Sequence, residues 1–156
     1  MLLADPDVLD IGIDVRRLDA FSAVELYALL KLRVDVFVVE QACAYPELDG
    51  KDLDALHLRL LIAGETAGYA RLWRPESGPP RIGRVLVAPS HRGKRLGEAV
   101  IRAAMAACGT HFAGEPIALS AQSHLEAFYA SLGFSPTSEH YVEDGIPHVD
   151  MLRPAA

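Results

Sequence analysis

Basic residues are the minority charge in this chain: 15 Lys and Arg stand against 21 Asp and Glu, a formal net charge of −6. Sequence-blind binding to nucleic acid or to an anionic membrane is driven by basic surface, so neither is expected. Cysteine is scarcer still. Cys43 and Cys108 are the whole complement, which reads as two reduced thiols in a cytoplasmic protein rather than a disulfide framework. Long apolar runs are missing too, because Glu25, Lys31, Arg33 and Asp35 cut the best candidates well short of the eighteen or so residues of a membrane helix. The first residues carry Asp5, Asp7 and Asp10 where an export signal needs a basic end and an apolar stretch, so no such signal is expected. His57, His91, His111, His124, His140 and His148 include no pair at ligand spacing and no neighbouring cysteine, so no metal site is expected. A Gly-x-Ser-x-Gly elbow and a lysine-containing P-loop are also absent.

What is present suits one compact domain spanning residues 1–156, since 51% hydrophobic residues can supply a core at this length. "IDVRRL" reads as a strand over Ile13 to Leu18. Ser22 with Glu25 three residues on is a reciprocal capping pair, opening a helix that runs towards Glu40, with the β-branched "VDVFVVE" predicting an early end. Ala42 to Ala55, with its Pro, Gly and carboxylates, reads as a loop. "LHLRLLI" and "AGYARLW" around "AGET" predict an antiparallel hairpin, and "IGRVLV" a third strand beside it. Leu96, Val100, Ile101, Ala104, Met105 and Cys108 recur at helical spacing. "PIALSA" then reads as a strand, "HLEAFYASLG" as a helix closed by Gly133, and "SEHYVEDGIPHVDMLR" as two strands around a turn. The order implies an α/β mixed sheet with helices on its faces.

The sign of charge reverses locally. Ser77 to Gly97 holds five basic residues and no acidic one, and "VLVAPSHRGKRLGEAV" carries the knot from a strand into a helix. The first turn of a helix has amide donors without internal partners, and Gly93 and Gly97 let backbone approach a bulky anion. The competing reading makes Arg92, Lys94 and Arg95 solvated residues and the glycines turn punctuation.

"RVLVAPSHRGKRLGEAVIRAAM", followed by a strand and "HLEAFYASLGF", resembles the GNAT superfamily of acetyl-CoA-dependent N-acetyltransferases. "LYALLKLRVDVFVVEQACAYPELDGKD" and "YVEDGIPHVDML" are similar to its ElaA-like branch, so the likeness runs from about Leu26 to Leu152. It implies a mostly antiparallel sheet splayed between its fourth and fifth strands, with helices on both faces. The superfamily's diphosphate loop, [QR]-x-x-G-x-[GA], falls on Arg92, Gly93, Lys94, Arg95, Leu96 and Gly97, with Arg95 where glycine is usual. The resemblance further implies that backbone at Val85, Leu86 and Val87 meets the pantetheine arm and the thioester, that Gln122 bonds a CoA amide, and that Tyr129 is the general acid. Without the resemblance, Tyr129 reads equally as core. The implied activity is direct acetyl transfer from acetyl-CoA to a small-molecule or peptide amine.

An alkyl amine is protonated near neutrality and must lose that proton before it attacks. Glu40, Glu47, Asp49, Glu143, Asp144 and His148 are candidates to take it, with Glu40 and His148 foremost. Arg33 and Arg71 sit inside apolar patterns, either to hold loop carboxylates or to recognise an acidic substrate group. The acidic loop Glu47 to Asp54 leans towards a cationic acceptor. Two other classes stay open: an acyl-CoA sensor without turnover, and a module whose basic turn captures a phosphorylated or acidic partner. Oligomeric state is also open, a homodimer included.

Overall fold

The computed structural model describes residues 11–155; the acidic start with Asp5, Asp7 and Asp10 lies outside them. An edge strand, β1 (Ile11–Arg17), precedes helix α1 (Ala23–Val34), whose Ser22 and Glu25 exchange the two predicted capping bonds. The β-branched "DVFVVE" does not break this helix. It continues as a wider π-helical turn over Asp35–Glu40, so crowding of the branched side chains changes the pitch rather than ending the element. Strands β2 (Leu56–Ile62), β3 (Glu65–Trp73) and β4 (Arg81–Val87) follow. Helix α2 (Leu96–His111), β5 (Ile117–Gln122) and the short α3 (Glu126–Ser131) lead to β6 (Ser135–Pro136), β7 (Tyr141–Glu143) and β8 (Ile146–Arg153). Gly133 closes the turn after α3 at φ 97°, as its position predicts. The strand count exceeds expectation by β6, whose two residues carry no periodic signal.

The sheet runs β1-β2-β3-β4-β5-β8-β6, with β7 also on β8. Every neighbouring pair is antiparallel except β4 and β5, which are parallel and share the single bridge Arg81 to Ala118. Beyond that bridge the two strands part, which is the expected splay. On one face α2 lays the buried stripe Leu96, Val100, Ile101, Ala104 and Cys108 over Ala70, Leu72, Ile82 and Leu119. Full burial of each large aliphatic side chain contributes roughly 1.5–3 kcal/mol. Gly68 is what permits this helix to sit so close, because a Cβ there would collide with the Val100 side chain. On the other face α1 and its π turn bury Leu29 and Val36 against Phe21, Tyr69 and Leu86.

One irregularity matters for the site. The β3–β4 register shifts between Tyr69 and Arg71, so Ala70 faces both Arg84 and Val85, and Arg84 has φ 52°. This is a β-bulge with its first residue left-handed. Ile82 therefore points to the α2 face and Leu86 to the α1 face, although both positions are even-numbered.

Candidate active site

The parting of β4 from β5 opens a cleft of about 1010 Å³. Val85, Leu86 and Val87 form one wall, and Leu119, Ser120 and Gln122 the other. Tyr129 from α3, His148 from β8, and the ion-paired Glu40 and Arg92 also line it. The structure thus brings together Glu40, Val85, Leu86, Val87, Arg92, Gln122, Tyr129 and His148, all named from sequence. Gly93, Lys94, Arg95, Leu96 and Gly97 do not line the cleft. They form the turn that opens α2 beyond the end of β4.

That turn takes its shape from two left-handed residues, Gly93 at φ 83° and Arg95 at φ 56°. Arg95 adopts the conformation that glycine adopts freely, so the departure from the family pattern leaves the backbone course intact at some cost in strain. Arg95 is the helix N-cap and supplies no side-chain bond, so no side chain caps the first-turn amides of α2. A Cβ at Gly97 would meet only the Val87 side chain, at 3.9 Å. Unsatisfied amides, the helix dipole and local positive charge suit a diphosphate at this point.

Tyr129 is 7% exposed and packs edge-on against Phe128 and Phe134. Burial pushes its phenol up to about 12, so it holds its proton throughout the neutral range. Gln122 and His148 are register partners across β5 and β8. His148 Nδ1 lies 2.7 Å from the Ile146 carbonyl oxygen. A carbonyl only accepts, so Nδ1 carries the hydrogen in the neutral ring and Nε2 carries the lone pair. Glu40 is differently placed. Its carboxylate accepts from Arg92 Nη1 at 2.6 Å, while Arg92 Nε donates to the Val87 carbonyl at 3.2 Å.

The acceptor side of the cleft is built from ion pairs. Arg33, completely buried, donates from Nε to Glu47 at 2.9 Å and from Nη1 to Asp52 at 2.7 Å. Arg71 forks onto Asp49 at 2.8 and 2.9 Å and reaches Asp52 at 3.1 Å. Arg84 Nε lies 2.8 Å from Glu47 Oε2, and its guanidinium stacks on the Tyr45 ring. The Tyr45 hydroxyl donates to the same carboxylate at 2.6 Å. Desolvation would raise Asp49, but the hydrogen bond and charge of Arg71, helped by Arg84, outweigh it and hold the carboxyl at about 2. Asp52 is lowered in the same way, against burial, by Arg33 and Arg71. Beneath them burial lowers His57; Nε2 donates to the Asp52 carbonyl at 3.0 Å, and Nδ1 accepts from the Tyr69 hydroxyl at 2.7 Å.

Sequence alone left Arg33 and Arg71 between holding the loop and recognising substrate; both hold the loop. Within the loop Glu47 to Asp54, the carboxylates of Glu47, Asp49 and Asp52 are engaged by the guanidiniums of Arg33, Arg71 and Arg84. Arg84, Tyr45, Lys51, Trp73 and Arg81 also line the cleft and were missed from sequence. The available signal was the arginine recurring inside strand-like "RIGRVLV".

No group of three or more His, Cys, Asp or Glu among the described residues is arranged to hold a metal, and no described helix is long and apolar enough to cross a membrane. Residues 29–153 match the family model of the acetyltransferase (GNAT) domain. Protein ElaA of Escherichia coli K12 is 43% identical over 136 residues, covering 85% of this chain and 89% of that one. The crystal structure of E. coli ElaA superposes with a TM-score of 0.85, at 40% identity over 92% of this chain and 99% of that one. An acyl-CoA N-acyltransferase from Pseudomonas aeruginosa gives 0.87, also at 40% identity over 92% and 99%. With a family model over most of its length and close relatives in sequence and structure, the chain belongs to the GNAT acetyltransferases, on their ElaA-like branch.

Proposed function

We propose that this protein is an acetyl-CoA-dependent N-acetyltransferase, a single catalytic domain that moves the acetyl group directly to an amine. One observation carries the reading: the β4–β5 cleft has a single bridging pair at one end and Tyr129 in its lining, and the uncapped amides of α2 follow beyond the other end of β4. The amides from Gly93 to Gly97 hold the diphosphate, and Arg92, Lys94 and Arg95 add positive charge. Val85, Leu86 and Val87 offer backbone groups to the pantetheine arm, with one N–H on the thioester oxygen as charge builds there. Gln122 bonds a pantetheine amide.

Chemistry then proceeds in one direction. The neutral amine nitrogen attacks the thioester carbon, forming the C–N bond as the C–S bond breaks. The phenol of Tyr129 gives its proton to the leaving thiolate, and solvent restores it. The excess proton on nitrogen passes to the base. His148 Nε2, with its lone pair free because Nδ1 faces Ile146, suits that task better than Glu40, which is engaged by Arg92. The free thiols of Cys43 and Cys108 suit a reducing cytoplasm.

Labelled acetyl-CoA incubated with pooled amines, read by mass spectrometry, tests the proposal. Acetylated product is expected, with kcat falling about a hundredfold in Tyr129→Phe while CoA affinity and Tm stay unchanged. Tight CoA binding with no product from any amine would instead make the protein an acyl-CoA sensor.

A further inference from the structure

Once the ion pairs of the cleft are assigned, two cations remain. Glu40 is held by Arg92, Asp49 by Arg71, and Glu47 by Arg33 and Arg84. Among the described residues, Lys51 and Arg81 have no carboxylate within ion-pair distance, yet both line the cleft. They are adjacent. Lys51 Nζ sits 4.4 Å from the centre of the Trp73 ring, and Trp73 is the register partner of Arg81 across β3 and β4. Arg81 Nη2 donates to Ser120 Oγ at 2.9 Å, and Ser120 in turn donates to Asp150 at 2.8 Å. That neutral hydroxyl fixes the direction of the guanidinium and leaves its other N–H groups for a ligand.

This cluster is not part of the diphosphate cradle. Arg81 opens β4, where the strands are bridged, whereas the Gly93 to Gly97 turn follows Val87 at the other end. Trp73 alternates with Leu72, which belongs to the α2-side core, so Trp73 and Arg81 lie on the α1 face of the sheet. Glu143 and Asp144 also line the cleft, and neither has an ion-pair partner among the described residues. The cleft therefore holds unmatched charge of both signs.

We infer that Lys51 and Arg81, flanking Trp73, form an anion subsite that selects an amine acceptor bearing a carboxylate at a distance from its nucleophilic nitrogen. The span sets the acceptor's length. From Arg81 to Val85, where the acyl-transfer reading puts the thioester, the strand advances only as far as Trp73 to Ala70 on β3, because the bulge at Arg84 adds a residue without lengthening it; that is about 10 Å at roughly 3.3 Å per residue. An extended peptide covers that distance in about three residues. The substrate class is thus a short peptide, acetylated at its N-terminus and held by its C-terminal carboxylate. The subsite's role rests on the acyl-transfer reading; its affinity for an anion does not.

Two measurements separate these. A tripeptide library with free carboxylates and the same library amidated are each incubated with acetyl-CoA. The carboxylate library is expected to react at least about tenfold faster, as a charge-assisted bond implies, and that ratio is expected to fall towards one in Arg81→Gln and Lys51→Gln at unchanged CoA affinity. Independently, Trp73 is the only tryptophan in the chain, so its emission reports on this spot. Titration with N-acetyl-trialanine is expected to give a saturable change that its amide does not, and that Arg81→Gln abolishes. Equal rates for the two libraries, or equal emission changes for the two titrants, overturn the subsite. A carboxylate-specific emission change with no acetylation in either library sustains the subsite and overturns the transferase.

Discussion

The two ends of the cleft are made by opposite means. At the α2 end the groups on offer are backbone amides, presented by a left-handed turn at Gly93 and Arg95 and capped by no side chain. At the α1 end the wall is side chain throughout, with three guanidiniums and three carboxylates locked together under the loop before β2. On the function proposed above, a backbone cradle takes one invariant piece of a common cosubstrate and tolerates side-chain change. A charge lattice fixes a loop in one shape, and on the same proposal the acceptor is chosen by the groups left over at its margin.

The largest effect expected from this contrast is in folding. Arg33→Met leaves Glu47 and Asp52 buried without their main partner, and removing one member of a buried pair costs about 3–5 kcal/mol. Urea unfolding is the measurement, and a loss below about 1 kcal/mol would mean that the lattice does not hold the loop. A smaller effect separates backbone from side chain at the other end. Gly97→Val places branched bulk beside the first-turn amides, and CoA affinity measured by calorimetry is expected to fall about tenfold. Lys94→Ala, which removes one solvent-facing charge, is expected to change it by no more than about threefold, as surface charges usually do. The reverse ranking would shift the weight of binding from amides to charge.

The smallest effect lies in acid. Asp49 titrates near 2 in the folded protein against an ordinary 3.8. Because its folded value is depressed, its contribution to stability is present above about 4 and is lost as pH falls towards 2. A plot of the urea midpoint against pH is expected to rise between about 2 and about 4, and Asp49→Asn is expected to flatten that rise.

The parts of the molecule that were legible in the sequence are those governed by local periodicity. The stripe on α2, the Ser22–Glu25 cap, the β2–β3 hairpin and the Gly133 stop each depend on residues a few positions apart. Tyr129 and the diphosphate turn were named through family resemblance, and their roles rest on it still. The charge lattice was half visible: Arg33 and Arg71 stood out as cations among apolar residues, but their partners lie 14 to 22 positions away, at distances set only by how the loop folds. The fate of Glu40 was hidden for the same reason, since its partner Arg92 is 52 positions away. The left-handed conformation of Arg84 had no signal in the sequence, because a bulge requires no particular residue when tertiary contacts hold it.

That bulge makes β4 tolerant of a change that most buried strands do not absorb. Deleting Arg84 removes the residue that has no partner of its own on β3, so Val85 faces Ala70 while Leu86 stays opposite Tyr69 and Val87 opposite Gly68. Leu86 therefore keeps its place in the α1-side core and Val87 its place on the α2 side. What the shortened strand loses is the Arg84 guanidinium, and with it one ion pair to each of Glu47 and Asp49. The extra residue thus serves the cleft wall rather than either core.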